Sequence, residues 1–208
     1  MERDPNRRAA TVLGVGTYSG EVIVSLAAAW RRRFPAAAAR PQPHWQAVDI
    51  NEAALAVARA SARRLVPELD IALERADLWP KADATSTIPS VDPIRSVTPV
   101  PPAPATFDLI PANPPYVGTA EAELLARDVR DHEPHATLFA GADGLDCIRR
   151  LIAGLPERLA PGGALGLAVG WKQAEEVVGL LAAGLTGATV AIRQDWAGIE
   201  RLVCARLG

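Results

Sequence analysis

Apolar positions along the chain fall into short runs joined by turn residues, and two spacings alternate. Thr11 to Val15 is a continuous apolar run ending in Gly16-Thr17-Tyr18-Ser19-Gly20, which predicts a buried strand entering a tight turn. Glu21 to Arg33 follows without glycine or proline and closes on Arg31, Arg32 and Arg33, cations that suit the negative end of a helix dipole. The same unit then recurs: Trp45 to Ile50 predicts a second strand, Asn51 an N-cap, Glu52 to Leu65 an Ala-rich amphipathic helix, and Asp70 to Glu74 a third strand.

Strands alternating with helices require crossover connections. They therefore imply an α/β fold, a doubly wound and mostly parallel sheet, whose ligands bind at the carboxyl ends of the strands. Residues 80–106 break the rhythm with Pro89, Pro93, Pro99, Pro101, Pro102 and Pro104 among Ser and Thr, predicting an exposed, mobile insertion. Order returns with Phe107 to Ile110 as a strand, a loop from Asn113 onward, helices near Glu121 to Arg127 and Leu145 to Leu159, and a strand at Ala164 to Val169. From Trp171 to the end, the pattern predicts a helix and two strands, near Thr189 to Arg193 and Ile199 to Arg206. The expected organisation is one domain, residues 11–208, behind a flexible leader of residues 1–10.

Composition narrows the function classes. A chain of 208 residues accommodates one core. Its net charge of -2 lacks the basic excess of a nucleic-acid binder, so no direct nucleic-acid partner is expected. Positive charge comes almost wholly from Arg, with Lys only at Lys81 and Lys172. Cys147 and Cys204 are far apart and in no ligand-like spacing, which argues against a disulfide framework or zinc site. Residues 1–10 lack the apolar core of a signal peptide, and no apolar run suits a membrane span; the expectation is a cytoplasmic protein without membrane contact.

Candidate chemistry gathers after the predicted strands. Gly14, Gly16 and Gly20 let backbone approach a ligand, and the helix that follows offers free N–H groups, although such a turn also suits a dinucleotide fold or simple tight packing. Asp49, ending the second strand, is placed to accept both ribose hydroxyls of a nucleotide or to cap a turn. Asp77 is an adenine-proximal acceptor or a loop residue. Asn113-Pro114-Pro115-Tyr116 is more informative. The prolines carry no N–H and hold the loop extended, so the Asn113 side-chain oxygen and the Pro114 carbonyl can take both protons of a planar NH2 while Tyr116 stacks on it. The nitrogen lone pair then faces a methyl donor.

At these residues the chain resembles the PrmC/HemK family, the glutamine methyltransferases that modify peptide-chain release factors. The resemblance runs from about Thr11 to Leu207 and includes Val12 to Gly20, Ala47-Val48-Asp49-Ile50, Asp77-Leu78, Phe107 to Ile110 and Asn113 to Val117. It extends through Glu133-Pro134, Leu138 to Gly141, Asp143 to Asp146, Pro161-Gly162-Gly163 and Gly198 to Val203. It implies a seven-stranded Rossmann-like sheet and S-adenosylmethionine (AdoMet) as cofactor, held by Gly16, Thr17, Gly20, Asp49, Ile50, Asp77, Leu78 and Asn113. Asp49 would lie on the ribose, Asp77 and Leu78 near adenine, and Asn113, Pro114, Pro115 and Tyr116 would hold the substrate glutamine. The implied partner is a protein, a peptide-chain release factor.

Several positions depart from the family pattern. Gly14 stands where the family usually has aspartate, Tyr18 where it has glycine, Pro111 where proline is rare, and Ala168 where glutamate is usual; the family's helical N-terminal domain is also not expected in this chain. A positive φ at Tyr18 would cost about 1–3 kcal/mol, and a lost hydrogen bond to the AdoMet ammonium about 1.5–3 kcal/mol more. Together these imply cofactor binding weakened roughly a hundredfold or more.

Other classes remain open on the residues alone: a nicotinamide dehydrogenase, an adenine-amino methyltransferase of nucleic acids, or a non-catalytic module with the same fold. His132 and His135 beside Asp131 and Glu133 are read as structure and not as a metal site, and no metal is expected. Trp171 and Trp196 are expected to pack against the last helix.

Overall fold

The computed structural model describes residues 8–34, 41–80, 106–120 and 139–208. The expected insertion core (81–105), the leader up to residue 7, the helix near Glu121 to Arg127, and the Asp131-to-His135 segment lie outside the described residues.

Seven strands form one sheet: β1 (Thr11–Val15), β2 (His44–Asp49), β3 (Ile71–Arg75), β4 (Phe107–Ala112), β5 (Leu159–Ala168), β6 (Ala188–Gln194) and β7 (Glu200–Leu207). Their order is β3-β2-β1-β4-β5-β7-β6, and β7 runs antiparallel to both its neighbours while the other pairings are parallel. The described helices are α1 (Glu21–Arg33), α2 (Glu52–Leu65), α3 (Asp146–Arg158) and α4 (Ala174–Gly184).

Every residue of β1 is buried, as a central parallel strand covered on both faces requires. Successive residues feed opposite layers: Val12 and Ala47 pack with Ile23, Ala27, Leu55 and Ala58 of α1 and α2, whereas Leu13 and Val48 pack with Ile148, Leu151 and Leu155 of α3 and Val177 and Leu181 of α4. The two-residue period of the strands thus divides the core into two. Burying one such Leu contributes about 1.5–3 kcal/mol. Asn51 caps α2 as its sequence predicts, its Oδ1 accepting from the N–H groups of Ala53 and Ala54 at 2.9 and 3.4 Å. Gly20, at φ 84°, starts α1 where a Cβ would come 3.0 Å from that of Ala58, so glycine and the Ala-rich α2 serve one close approach.

Two expectations need correction. First, β4 does not stop at Ile110 but continues through Pro111 to Ala112. The ladder to β5 is continuous there, whereas the ladder to β1 pairs only Val12 with Leu109 and Val15 with Ala112. The strand tolerates the missing proline N–H as a local gap on the β1 side, and the Asn113 N–H resumes bonding to Val15 O at 2.9 Å. Second, β5 begins at Leu159, ahead of Pro161-Gly162-Gly163: Leu159 pairs with Phe107, the register shifts before Ala164 meets Leu109, and Gly162 at φ 73° carries the irregularity. Of the expected leader, residues 8–10 are described, and Arg8 donates to Asp108 through two hydrogen bonds of 2.8 and 2.7 Å.

Candidate active site

The carboxyl ends of β1, β2, β3, β4 and β5 bring together the sequence-predicted residues. Tyr18, Leu78 and Lys172 are the non-glycine residues at positive φ among those described (49°, 66° and 65°), and they follow β1, β3 and β5. Backbone held in this region costs free energy and collects at functional loops, so three strained positions on one sheet edge mark that edge.

The turn after β1 is closed from β2. The Thr17 N–H donates to Val48 O at 3.1 Å. Asp49 is buried, and its carboxylate oxygens take the N–H groups of Tyr18 (2.8 Å) and Asn51 (2.9 Å). The turn-forming alternative for Asp49 is therefore realised, and each oxygen retains acceptor capacity beyond its one N–H. Gly16 sits at φ 63°, and a Cβ there would overlap the Asn113 carbonyl oxygen; only glycine lets β1's turn meet the loop after β4. The Thr17 hydroxyl is buried without a hydrogen-bond partner, an unsatisfied polar atom beside that meeting point.

On the β2–β3 side, Ile50 is an exposed large hydrophobe and Leu78 is buried. Asp77 is exposed and held by Arg150 of α3, Nη2 to Oδ2 at 2.7 Å, and that bond raises the Arg150 pKa. Burial pushes up the nearby Cys147 thiol, making it a poor nucleophile at neutral pH.

The Asn113-to-Tyr116 loop is held by its main chain. Among the described residues, no hydrogen bond engages the Asn113 carboxamide or the Pro114 carbonyl. Val117 forms a parallel bridge with Phe139, the Ala140 N–H donates to Val117 O at 3.0 Å, and the Thr119 N–H donates to Gly141 O at 2.9 Å. Arg149 secures the segment that follows, donating to Asp143 Oδ2 at 2.6 Å and to Glu176 at 3.3 Å; this guanidinium holds the Asp143 carboxyl down at about 2.

Sequence reasoning missed Gln173, whose side chain bonds Tyr116 O, Asp143 O and Gly170 N. No sequence pattern marks it: Gln173 stands just ahead of α4 but makes no cap hydrogen bond there. Sequence reasoning also misjudged Trp171 and Trp196, which are exposed and not packed; the Lys172 ammonium lies 4.0 Å from the Trp171 ring centroid.

The strand order, the lone reversed β7 and the glycine turn facing a carboxylate at the end of β2 define the fold of the class I methyltransferases. The Mtq2–Trm112 complex of E. cuniculi, described as responsible for methylating the termination factor eRF1, superposes with a TM-score of 0.54 at 19% identity, covering 98% of this chain and 88% of that one. In sequence the chain is similar to proteins named release factor glutamine methyltransferase over the stretch it spans. It is 39% identical over 199 residues to the enzyme of that name from Cereibacter sphaeroides (95% of this chain, 60% of that one). It is 37% identical over 194 residues to the one from Gloeobacter violaceus (93% and 57%). The chain thus spans about three fifths of the length of these relatives. No protein-family model matches it.

Proposed function

We propose that the chain is the catalytic part of an AdoMet-dependent methyltransferase that transfers a methyl group to the side-chain amide nitrogen of a glutamine in a protein, a peptide-chain release factor. The observation that carries this reading is the Asn113 carboxamide and the Pro114 carbonyl, both without hydrogen-bond partners among the described residues, on a loop pressed against the glycine turn. The names of the relatives favour the release factor as acceptor. Among the described residues no helix is long and apolar enough to cross a membrane, in keeping with a site of action in the cytoplasm.

The residues fit the cofactor. The spare Thr17 hydroxyl, the Cβ-free space at Gly16 and the remaining acceptor capacity of Asp49 would serve its polar parts. Ile50 and Leu78 would flank the adenine, with Asp77 beside it and Gly20 at the start of α1. When bound, AdoMet supplies an electrophilic methyl carbon. The protein's own task is to orient a weak nucleophile: the Asn113 side-chain oxygen and the Pro114 carbonyl accept the two amide protons, Pro115 keeps the loop extended, and the Tyr116 ring covers one face of the amide. Tyr18 at positive φ and the absent carboxylate at Gly14 weaken cofactor affinity without removing these acceptors.

Calorimetric titration with AdoMet and, separately, with NAD tests the class; AdoMet binding with no NAD binding is expected. Transfer of labelled methyl to a release factor and not to adenine-containing oligonucleotides tests the acceptor. Labelling of the oligonucleotides alone would make the chain an adenine-amino methyltransferase, and no AdoMet binding at millimolar concentration would leave a non-catalytic module.

A further inference from the structure

One side chain ties the Asn113-to-Tyr116 loop to two others. Gln173 is buried. Its Nε2 donates to Tyr116 O at 2.9 Å and to Asp143 O at 3.1 Å, and its Oε1 accepts the Gly170 N–H at 2.8 Å. Both amide protons are used, and all three partners are main-chain atoms, from the loop after β4, the turn before α3 and the end of β5. The backbone is moulded around this amide: a Cβ on Gly144 would come 2.8 Å from Nε2, and one on Gly170 would come 2.8 Å from Oε1 and 3.2 Å from Tyr116 Cδ2.

Two donors and one acceptor on a planar group are what glutamine offers. Asparagine is one methylene shorter, glutamate has no donor when ionised, and Lys and Arg have no acceptor. We propose that Gln173 is a positioning residue for methyl transfer: by fixing the direction of the Tyr116 carbonyl it sets Pro114 to Tyr116, so that the Tyr116 ring and the Asn113 carboxamide address one acceptor. The inference rests on the acceptor role given to this loop under the proposed function. Gln173 makes no hydrogen bond with the glycine turn or Asp49, so the effect falls on turnover and not on cofactor affinity.

Gln173→Glu separates its two halves, because it keeps an acceptor for Gly170 and turns a carboxylate toward two carbonyls. The charged groups on the same loops and helices are Lys172, Asp143, Asp146, Arg149, Glu175 and Glu176, of which Asp143, Asp146 and Glu176 all pair with Arg149. Burial against carbonyls raises the new carboxyl's pKa, and its protonated form regains one O–H donor. At neutral pH, Gln173→Glu is expected to lower kcat for methyl transfer to a release factor about tenfold to a hundredfold, with AdoMet Kd unchanged and the Gly170 amide still protected from hydrogen exchange. The deficit should shrink as pH falls below about 6 while the unmodified protein shows no such gain. Gln173→Ala should lose both kcat and Gly170 protection at every pH.

A Gln173→Glu kcat equal to that of the unmodified protein, a deficit that does not change with pH, or a loss confined to AdoMet affinity each overturns the proposal. Should the unmodified protein transfer no methyl at all, the acceptor reading fails and the proposal with it. The exchange data identify that case, since Gly170 protection then still depends on Gln173.

Discussion

The backbone N–H of Tyr18 donates to Asp49 Oδ2 at 2.8 Å, and the bond holds a bulky residue at φ 49° in the turn after β1. The same carboxylate takes the Asn51 N–H at the start of α2. A bound nucleoside would therefore meet a carboxylate already fixed by two amides, and a turn held in a conformation that favours glycine.

Tyr18→Gly should relieve that strain. The gain is about 1–3 kcal/mol in the folded state, reduced by the greater freedom of glycine in the unfolded chain. Denaturant titration is expected to show a net stabilisation of about 1 kcal/mol, and calorimetry a lower AdoMet Kd. A higher Kd would mean that the Tyr18 ring itself contacts the cofactor.

Restoring the missing carboxylate is not equivalent. A Cβ on Gly14 would lie 3.2 Å from that of Ala47 and 3.4 Å from that of Ile23, inside the layer that α1 shares with the sheet. Gly14→Asp is expected to destabilise by about 1–3 kcal/mol through overpacking, and Ala47→Gly to recover part of that loss. Unfolding midpoints of the single and double variants check this directly.

Gly16→Ala places a methyl group on the Asn113 carbonyl oxygen at a positive φ. It should lower Tm and separate the glycine turn from the loop after β4, reducing kcat/KM by about a hundredfold or more. Near-normal turnover in this variant would show that the two segments need not touch.

Asp143 has an acid-dependent role. Its folded pKa, about 2, lies below the ordinary 3.8 because Arg149 bonds it. A depressed carboxyl contributes stability that is present above the unfolded value and is lost as pH falls through the folded one. Asp143→Asn should therefore lower Tm at neutral pH, by a margin that narrows below about pH 4 and vanishes near pH 2. A margin independent of pH would mean that the charge has no part in holding this segment.

The elements most legible in the sequence were those bounded by local signals. β1, α1 and α2 match their expected limits because a glycine turn, an Asn cap and Arg-rich ends mark them. β4 was cut short at Pro111, since whether a missing N–H breaks a strand depends on which neighbour it faces. Asp49 could be placed at the end of β2, but its choice between ribose and turn could not be made from position alone; the structure shows the turn bonds. Gln173 was invisible because its partners are main-chain carbonyls 57 and 30 residues away, where no side-chain pattern records them. The exposure of Trp171 and Trp196 is likewise a tertiary fact that hydrophobicity argues against.

The most direct measurement is fragmentation mass spectrometry of a release factor incubated with the chain and isotopically labelled AdoMet, alongside Asn113→Ala. One labelled methyl on the side-chain nitrogen of one glutamine is predicted, with transfer falling about a hundredfold or more in the variant. A methyl on any other atom, or transfer that persists undiminished in Asn113→Ala, would contradict the account.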